Sequence, residues 1–243
     1  MSRLHRPKAG FVVRTWVVLL WHVDTLLFRM RWRNLQRIPP PGQGGVVIAI
    51  NHLSHEDTIL MARLIWTAGR IPRFLIKAGV FEWPVIGRMM KASGQIPVRR
   101  GTTDAAQSLE AAVAALQQGE AVVIYPEGTT TKDPDKWPMV GKTGVARLVL
   151  ACPDIPVVPI GQWGAQRMGD GFSIKLLGRR TSLASVGEPL DMTRFRGKEP
   201  STALLREITD EIMTAIRDEV AAVRGEQPPT QFYIPTQKKV DKR

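Results

Sequence analysis

The chain has one cysteine, Cys152, in 243 residues, which excludes an internal disulfide framework and fits a reducing compartment. Acidic residues are scarce: 22 Asp and Glu face 34 Lys and Arg, leaving a formal net charge of +12 and a pI near 10.4. That imbalance points to anionic partners, whether nucleic acid, phosphorylated substrates or anionic lipid. Tyrosine occurs only twice against seven tryptophans, a composition suited to a membrane interface as well as to a core. A long uninterrupted apolar run is also missing. Phe11 to Phe28 comes nearest, but Arg14, His22 and Asp24 break it. No small-x-small cleavage site follows before Arg29-Met30-Arg31-Trp32-Arg33, so a signal peptide does not fit, and the run is short and charged for a spanning helix. An in-plane amphipathic helix fits better, with Trp16, Val17, Leu20, Leu27 and Phe28 apolar and basic residues at both ends. The alternative is a first helix packed on the core. Internal repeats and low-complexity tracts are absent from the sequence.

What is present centres on residues 46–57. Val46-Val47-Ile48-Ala49-Ile50 is a continuous apolar run behind Gly44-Gly45 and predicts a buried strand. Asn51-His52-Leu53-Ser54-His55-Glu56-Asp57 follows at its end, where open α/β sheets place ligands. His52 and Asp57 are too far apart for one helix face, yet a loop entering a helix can fold the carboxylate onto the imidazole. A carboxylate on one ring nitrogen sets the tautomer and raises the basicity of the other, which then accepts a proton from a hydroxyl. Two other readings stay open: a loop histidine with Asp57 capping a helix from Thr58, or a metal site using His52 and His55. The metal reading is the weaker, because the other two histidines are His5 and His22.

Pro39-Pro40-Pro41-Gly42 interrupts the chain ahead of the first strand. Beyond Asp57 the pattern predicts a helix to Gly69, strands at Arg73–Lys77 and Gln95–Val98, and a short helix from Phe81 through Met90. A helix from Thr103-Asp104 to Gly119, a strand at Ala121–Tyr125 and a helix from Lys142-Thr143-Gly144 to Leu150 come next. Ile155–Ile160 reads as a strand whose prolines put it at an edge or at strand ends. Two more strands are expected near Phe172–Leu177 and Ser185–Leu190, then a helix from Ser201 to Val223. The expected fold is a single α/β domain at residues 35–224, with a largely parallel or mixed central sheet flanked by helices. A membrane-associating helix precedes it at 1–34. A basic, loosely held tail follows at 225–243.

Three strand exits carry polar groups: His52 with Asp57, Arg99 with Arg100, and Glu127-Gly128-Thr129. In a parallel sheet they can share one edge. Paired guanidinium groups suit phosphate oxygens, and a Gly-Thr turn leading towards a helix offers backbone N–H groups and a hydroxyl. Each signal alone is weak, since an Arg-Arg pair is usually solvated and Glu-Gly-Thr is usually a turn.

Together, in this order and spacing, they resemble the glycerolipid acyltransferase family, in particular its bacterial lysophosphatidate acyltransferases. The motif Asn-His-x4-Asp is matched by Asn51-His52 through Asp57, and a Gly-x-Ile strand ending in arginine by Gly94-Gln95-Ile96 through Arg100. Pro126-Glu127-Gly128-Thr129 matches the start of a third motif, and Ile155-Pro156-Val157-Val158-Pro159 a fourth. Lys77 and Lys142-Thr143-Gly144 look like the family's linking segments, and the resemblance covers roughly residues 35–190. Thr130 departs from it where arginine or lysine is usual, and Arg99 departs where an acidic residue commonly precedes the arginine.

The resemblance implies acyl transfer from acyl-CoA or acyl carrier protein, as co-substrate, to a lysophospholipid hydroxyl. No metal or other cofactor is expected. His52 would be the general base and Asp57 its orienting partner. Arg100, with Gly128 and Thr129, would hold the acceptor phosphate, and Glu127 would position the glycerol or order the arginine. Arg99, Lys77 and Lys142 complete the expected substrate-binding set. The protein would sit on an anionic membrane surface, peripheral or monotopic on the cytoplasmic face, with no nucleic-acid partner. The competing readings are another lyso-lipid acceptor and a non-catalytic basic protein on membrane or nucleic acid.

Overall fold

The computed structural model describes residues 10, 15, 21–22, 25–54, 56–99, 104–164 and 180–235. Seven strands form one sheet: β1 (Phe28–Arg33), β2 (Val46–Ile50), β3 (Pro72–Lys77), β4 (Ile96–Val98), β5 (Ala121–Ile124), β6 (Val157–Trp163) and β7 (Arg180–Val186). Their spatial order is β1-β7-β6-β2-β5-β3-β4, all neighbours parallel except the antiparallel β6–β7 pair. Among the described residues from β1 onward, five α-helices cover it: α1 (Asp57–Thr67), α2 (Ile86–Ala92), α3 (Asp104–Gln117), α4 (Gly144–Ala151) and α5 (Thr202–Arg224).

β2 is central, and all five of its residues are buried because helices lie over both faces. Its alternation divides the core. Val47 and Ala49 face the α3, α4 and α5 layer, whereas Val46, Ile48 and Ile50 face Leu60, Leu64 and Ile65 of α1. α5 lies directly on β6, where a Cβ on Gly161 would come 2.3 Å from the backbone of Glu219 and Val220. Ser201 caps α5 by accepting from the Leu204 N–H at 3.1 Å, and Gly225 ends it at φ 68°. Beneath the sheet's amino edge, the buried Arg70 guanidinium donates to the carbonyls of Pro39, Pro40, Gly44 and Gly119. It thereby fastens the triple-proline turn ahead of β2.

Four expectations are revised. Most of the segment expected as an N-terminal helix, Trp16, Val17 and Leu20 included, lies outside the described residues; 25–27 are helical, and then Phe28, Met30 and Trp32 alternate with three arginines, a period of two that suits a strand. Residues 28–33 therefore belong to the sheet. β6 is interior, not an edge: Pro156 precedes it, and Pro159 turns its missing N–H towards β7, where that partner diverges between Gly187 and Leu190. The last strand begins at Arg180, earlier than the pattern around Ser185 suggests, while the segment 172–177 lies outside the described residues. The tail is held as far as Pro235: Tyr233 bridges Met139, and Arg217 donates to the Pro229 carbonyl beneath Phe232. Residues 236–243 lie outside the described set.

Candidate active site

β2, β3, β4 and β5 run parallel, so Ile50, Lys77, Val98 and Ile124 end on the same sheet edge. His52, Arg99 and Glu127 leave from that edge.

His52 Nδ1 lies 3.0 Å from Asp57 Oδ2. The same oxygen accepts from the backbone N–H groups of Leu53 at 2.7 Å and Ser54 at 3.1 Å. Asp57 is fully buried and is itself the first residue of α1, so it does not cap its own helix; its carboxylate folds back over the loop. With a proton on Nδ1 donated to that anion, Nε2 carries the lone pair, and 14% of the His52 side chain is open to solvent. The histidine is poised as a base.

The His52 backbone is pinned at both ends by the loop after β5. Its N–H donates to Glu127 Oε1 at 2.9 Å, and its carbonyl accepts from the Thr131 N–H at 2.7 Å. The other Glu127 oxygen accepts from the Met139 N–H at 3.0 Å. Both oxygens are thus engaged by backbone and the residue is 2% exposed, so Glu127 braces the histidine loop; the expectation from the resemblance was that it positions the glycerol or orders the arginine. Burial pushes its carboxyl up to about 7, with the two backbone hydrogen bonds opposing.

Tyr125 and Asn51 also shape the site. The Tyr125 ring stacks on the imidazole, with centroids 4.2 Å apart, and continues onto Phe74 at 6.3 Å. The Tyr125 hydroxyl is buried, and desolvation followed by the Asp57 charge raises its pKa well above the usual 10. Asn51 locks β2 to β6 through three hydrogen bonds with Gln162, at 2.8 to 3.1 Å. Neither residue was singled out from sequence for a role. The available signal was position: Asn51 opens the Asn-His-x4-Asp motif, and Tyr125 directly precedes Pro126-Glu127-Gly128.

The remaining expected residues are placed unevenly. Gly128 adopts φ +69°, and its N–H donates to the Tyr125 carbonyl, so that donor is already engaged. The turn does not open a helix either, since α4 begins only at Gly144. The Lys142 side chain crosses Gly128, about 3 Å from where a Cβ would stand, and the Lys142 N–H donates to the Pro126 carbonyl. Thr129 is exposed beside them. Lys77, at the end of β3, pairs in register with Val98, and the exposed Arg99 follows, so these cations sit further along the edge than His52. Arg100 and His55 lie outside the described residues. Cys152 is packed in the core beyond the end of α4, and burial raises its thiol.

His52, held by a buried carboxylate, stands at the carboxyl edge of a parallel α/β sheet, where such folds place their ligands. The family model of the acyltransferases matches residues 29–163, and the chain belongs to that family. It is 27% identical over 168 residues to the chloroplastic 1-acyl-sn-glycerol-3-phosphate acyltransferase BAT2 of Brassica napus, covering 69% of this chain and 46% of that protein. With the 1-acyl-sn-glycerol-3-phosphate acyltransferase of Bacillus subtilis it shares 26% over 181 residues, 73% of this chain and 82% of the other. The chain spans less than half the length of the plant relatives that it matches. The crystal structure of the 1-acyl-sn-glycerophosphate acyltransferase PlsC of Thermotoga maritima has the same fold, with a TM-score of 0.65, 18% identity, and coverage of 89% and 81%.

Proposed function

We propose that this protein transfers a fatty acyl group from a thioester to the free hydroxyl of 1-acyl-glycerol-3-phosphate, giving phosphatidic acid. The observation that carries the reading is the His52–Asp57 pair, braced through Glu127 at the carboxyl edge of the sheet. The names of the relatives supply the acceptor. Nε2 of His52 takes the acceptor's hydroxyl proton as the oxygen attacks the thioester carbonyl. The tetrahedral intermediate then collapses, the C–S bond breaks, and the departing thiolate takes the proton from the imidazolium. The ester oxygen comes from the acceptor, so an acyl-enzyme is not needed, in keeping with a single buried cysteine.

Arg100, aided by Thr129 and Lys142, binds the acceptor phosphate in this reading. Arg99 and Lys77 add positive potential along the same edge. Acyl-CoA is the proposed donor, with acyl carrier protein as its rival, and neither a metal nor another cofactor enters the reaction. The enzyme works on an anionic membrane surface as a peripheral or monotopic protein of the cytoplasmic face. No helix among the described residues is long and apolar enough to cross a membrane.

The test is purified protein with palmitoyl-CoA or palmitoyl carrier protein and a panel of acceptors: 1-acyl-glycerol-3-phosphate, lysophosphatidylinositol, lyso-ornithine lipid and monoacylglycerol. Phosphatidic acid as the dominant product by mass supports the reading. Preferred acylation of another acceptor reassigns the substrate, and no acylation at all overturns the reaction.

A further inference from the structure

Large apolar side chains exposed among the described residues are Leu26, Ile59, Trp83, Val85, Ile86 and Ile234. All six adjoin segments at the carboxyl edge, Leu26 because it precedes β1, which runs antiparallel to β2. Ile59 is in the first turn of α1, just past the histidine loop, and Trp83, Val85 and Ile86 follow β3. Ile234 follows Tyr233, which bridges Met139, the residue whose N–H reaches Glu127. The densest part is the turn between β3 and α2, where Trp83 is 57% and Val85 62% exposed.

That turn is built rigidly. Trp83 and Val85 carbonyls accept from the N–H groups of Gly87 at 2.8 Å and Met89 at 3.1 Å, and Arg88 Nε donates to the Pro84 carbonyl at 2.8 Å. Buried Gly87 lets the turn close, for a Cβ there would stand 2.1 Å from the Phe81 carbonyl oxygen. Exposed cations Lys77, Arg88, Lys91 and Arg99 flank it, against one exposed carboxylate, Glu82. A fixed tryptophan and valine at the tip, ringed by positive charge, match the headgroup and upper acyl region of an anionic bilayer.

We propose that the turn from Trp83 to Ile86 is a membrane anchor, separate from the N-terminal segment, that presses the sheet's carboxyl edge onto anionic lipid. Its position beside the active site rests on the acyltransferase reading, but lipid binding is measured without turnover. The full-length protein is sedimented with sucrose-loaded phosphatidylcholine vesicles containing phosphatidylglycerol, beside the Trp83→Ser/Val85→Ser double variant. Both side chains point into solvent, so melting temperatures should agree. Partitioning should fall about tenfold to a hundredfold in the variant. A fall of less than threefold overturns the anchor. So does a wild-type dimer that dissociates in the double variant with vesicle binding intact, because the turn then covers a second copy. Should the double variant melt early, vesicles of brominated lipid decide: they must quench wild-type fluorescence more than that of Trp83→Phe, and equal quenching overturns the proposal. If lysolipid acylation is absent while vesicle binding still depends on the turn, the reaction falls and the anchor stands.

Discussion

Replacing Glu127 with glutamine separates two consequences of one buried carboxylate. Glu127 ionises near pH 7 in place of its ordinary 4.5, because burial outweighs the two N–H groups that favour the anion. A carboxyl whose folded pKa is raised contributes stability that is complete below about pH 4.5 and lost as pH rises through about 7. The displacement corresponds to about 3 kcal/mol. Glutamine cannot ionise and loses nothing across this window. Urea unfolding of both proteins from pH 4.5 to 8 should therefore show their difference moving by about 3 kcal/mol in favour of glutamine. Activity should move the other way. The glutamine amide accepts from only one of the two N–H groups, which releases either His52 or Met139. An unmet buried N–H costs about 1–3 kcal/mol, so kcat at pH 8 should fall about tenfold to a hundredfold with the acceptor KM little changed. Stability curves that stay parallel would refute the buried ionisation. A raised KM with normal kcat would show instead that Glu127 touches the acceptor.

His52→Ala should cost about a hundredfold to ten-thousandfold in transfer while the far-ultraviolet spectrum and urea midpoint stay close to wild type, since general-base assistance is typically of that size. Asn51→Ala removes two of the three buried bonds to Gln162, leaving the one accepted by its backbone carbonyl, and should lower unfolding free energy by about 2–4 kcal/mol, read by urea titration. Cys152→Ala should leave the rate unchanged, and a radiolabelled acyl group that stays on wild-type protein but not on this variant would reveal an acyl-enzyme. Arg100→Ala should raise the KM for 1-acyl-glycerol-3-phosphate about tenfold or more while sparing monoacylglycerol; equal effects on both acceptors would dismiss the phosphate role.

Much of this molecule follows from local pattern. The β-branched run Val46–Ile50 has to be a strand buried on both faces, and the long apolar stripe after Ser201 has to be a capped helix. The spacing of His52 and Asp57 allowed their pairing but left a capping aspartate equally open, and only the fold of the four-residue link between them brings the carboxylate onto the imidazole. Period-two alternation at Phe28–Arg33 was equally present but was masked by the apolar residues before it. Tertiary structure alone decided what the motif glutamate does. Glu127 is 75 residues from His52, and only the parallel pairing of β2 with β5 sets that carboxylate against the histidine's N–H. The Tyr125 platform and the Asn51–Gln162 lock arise the same way. Each joins neighbouring strands that are distant in sequence, and strand order is set by how two helical layers cover one sheet, which no short window of residues encodes.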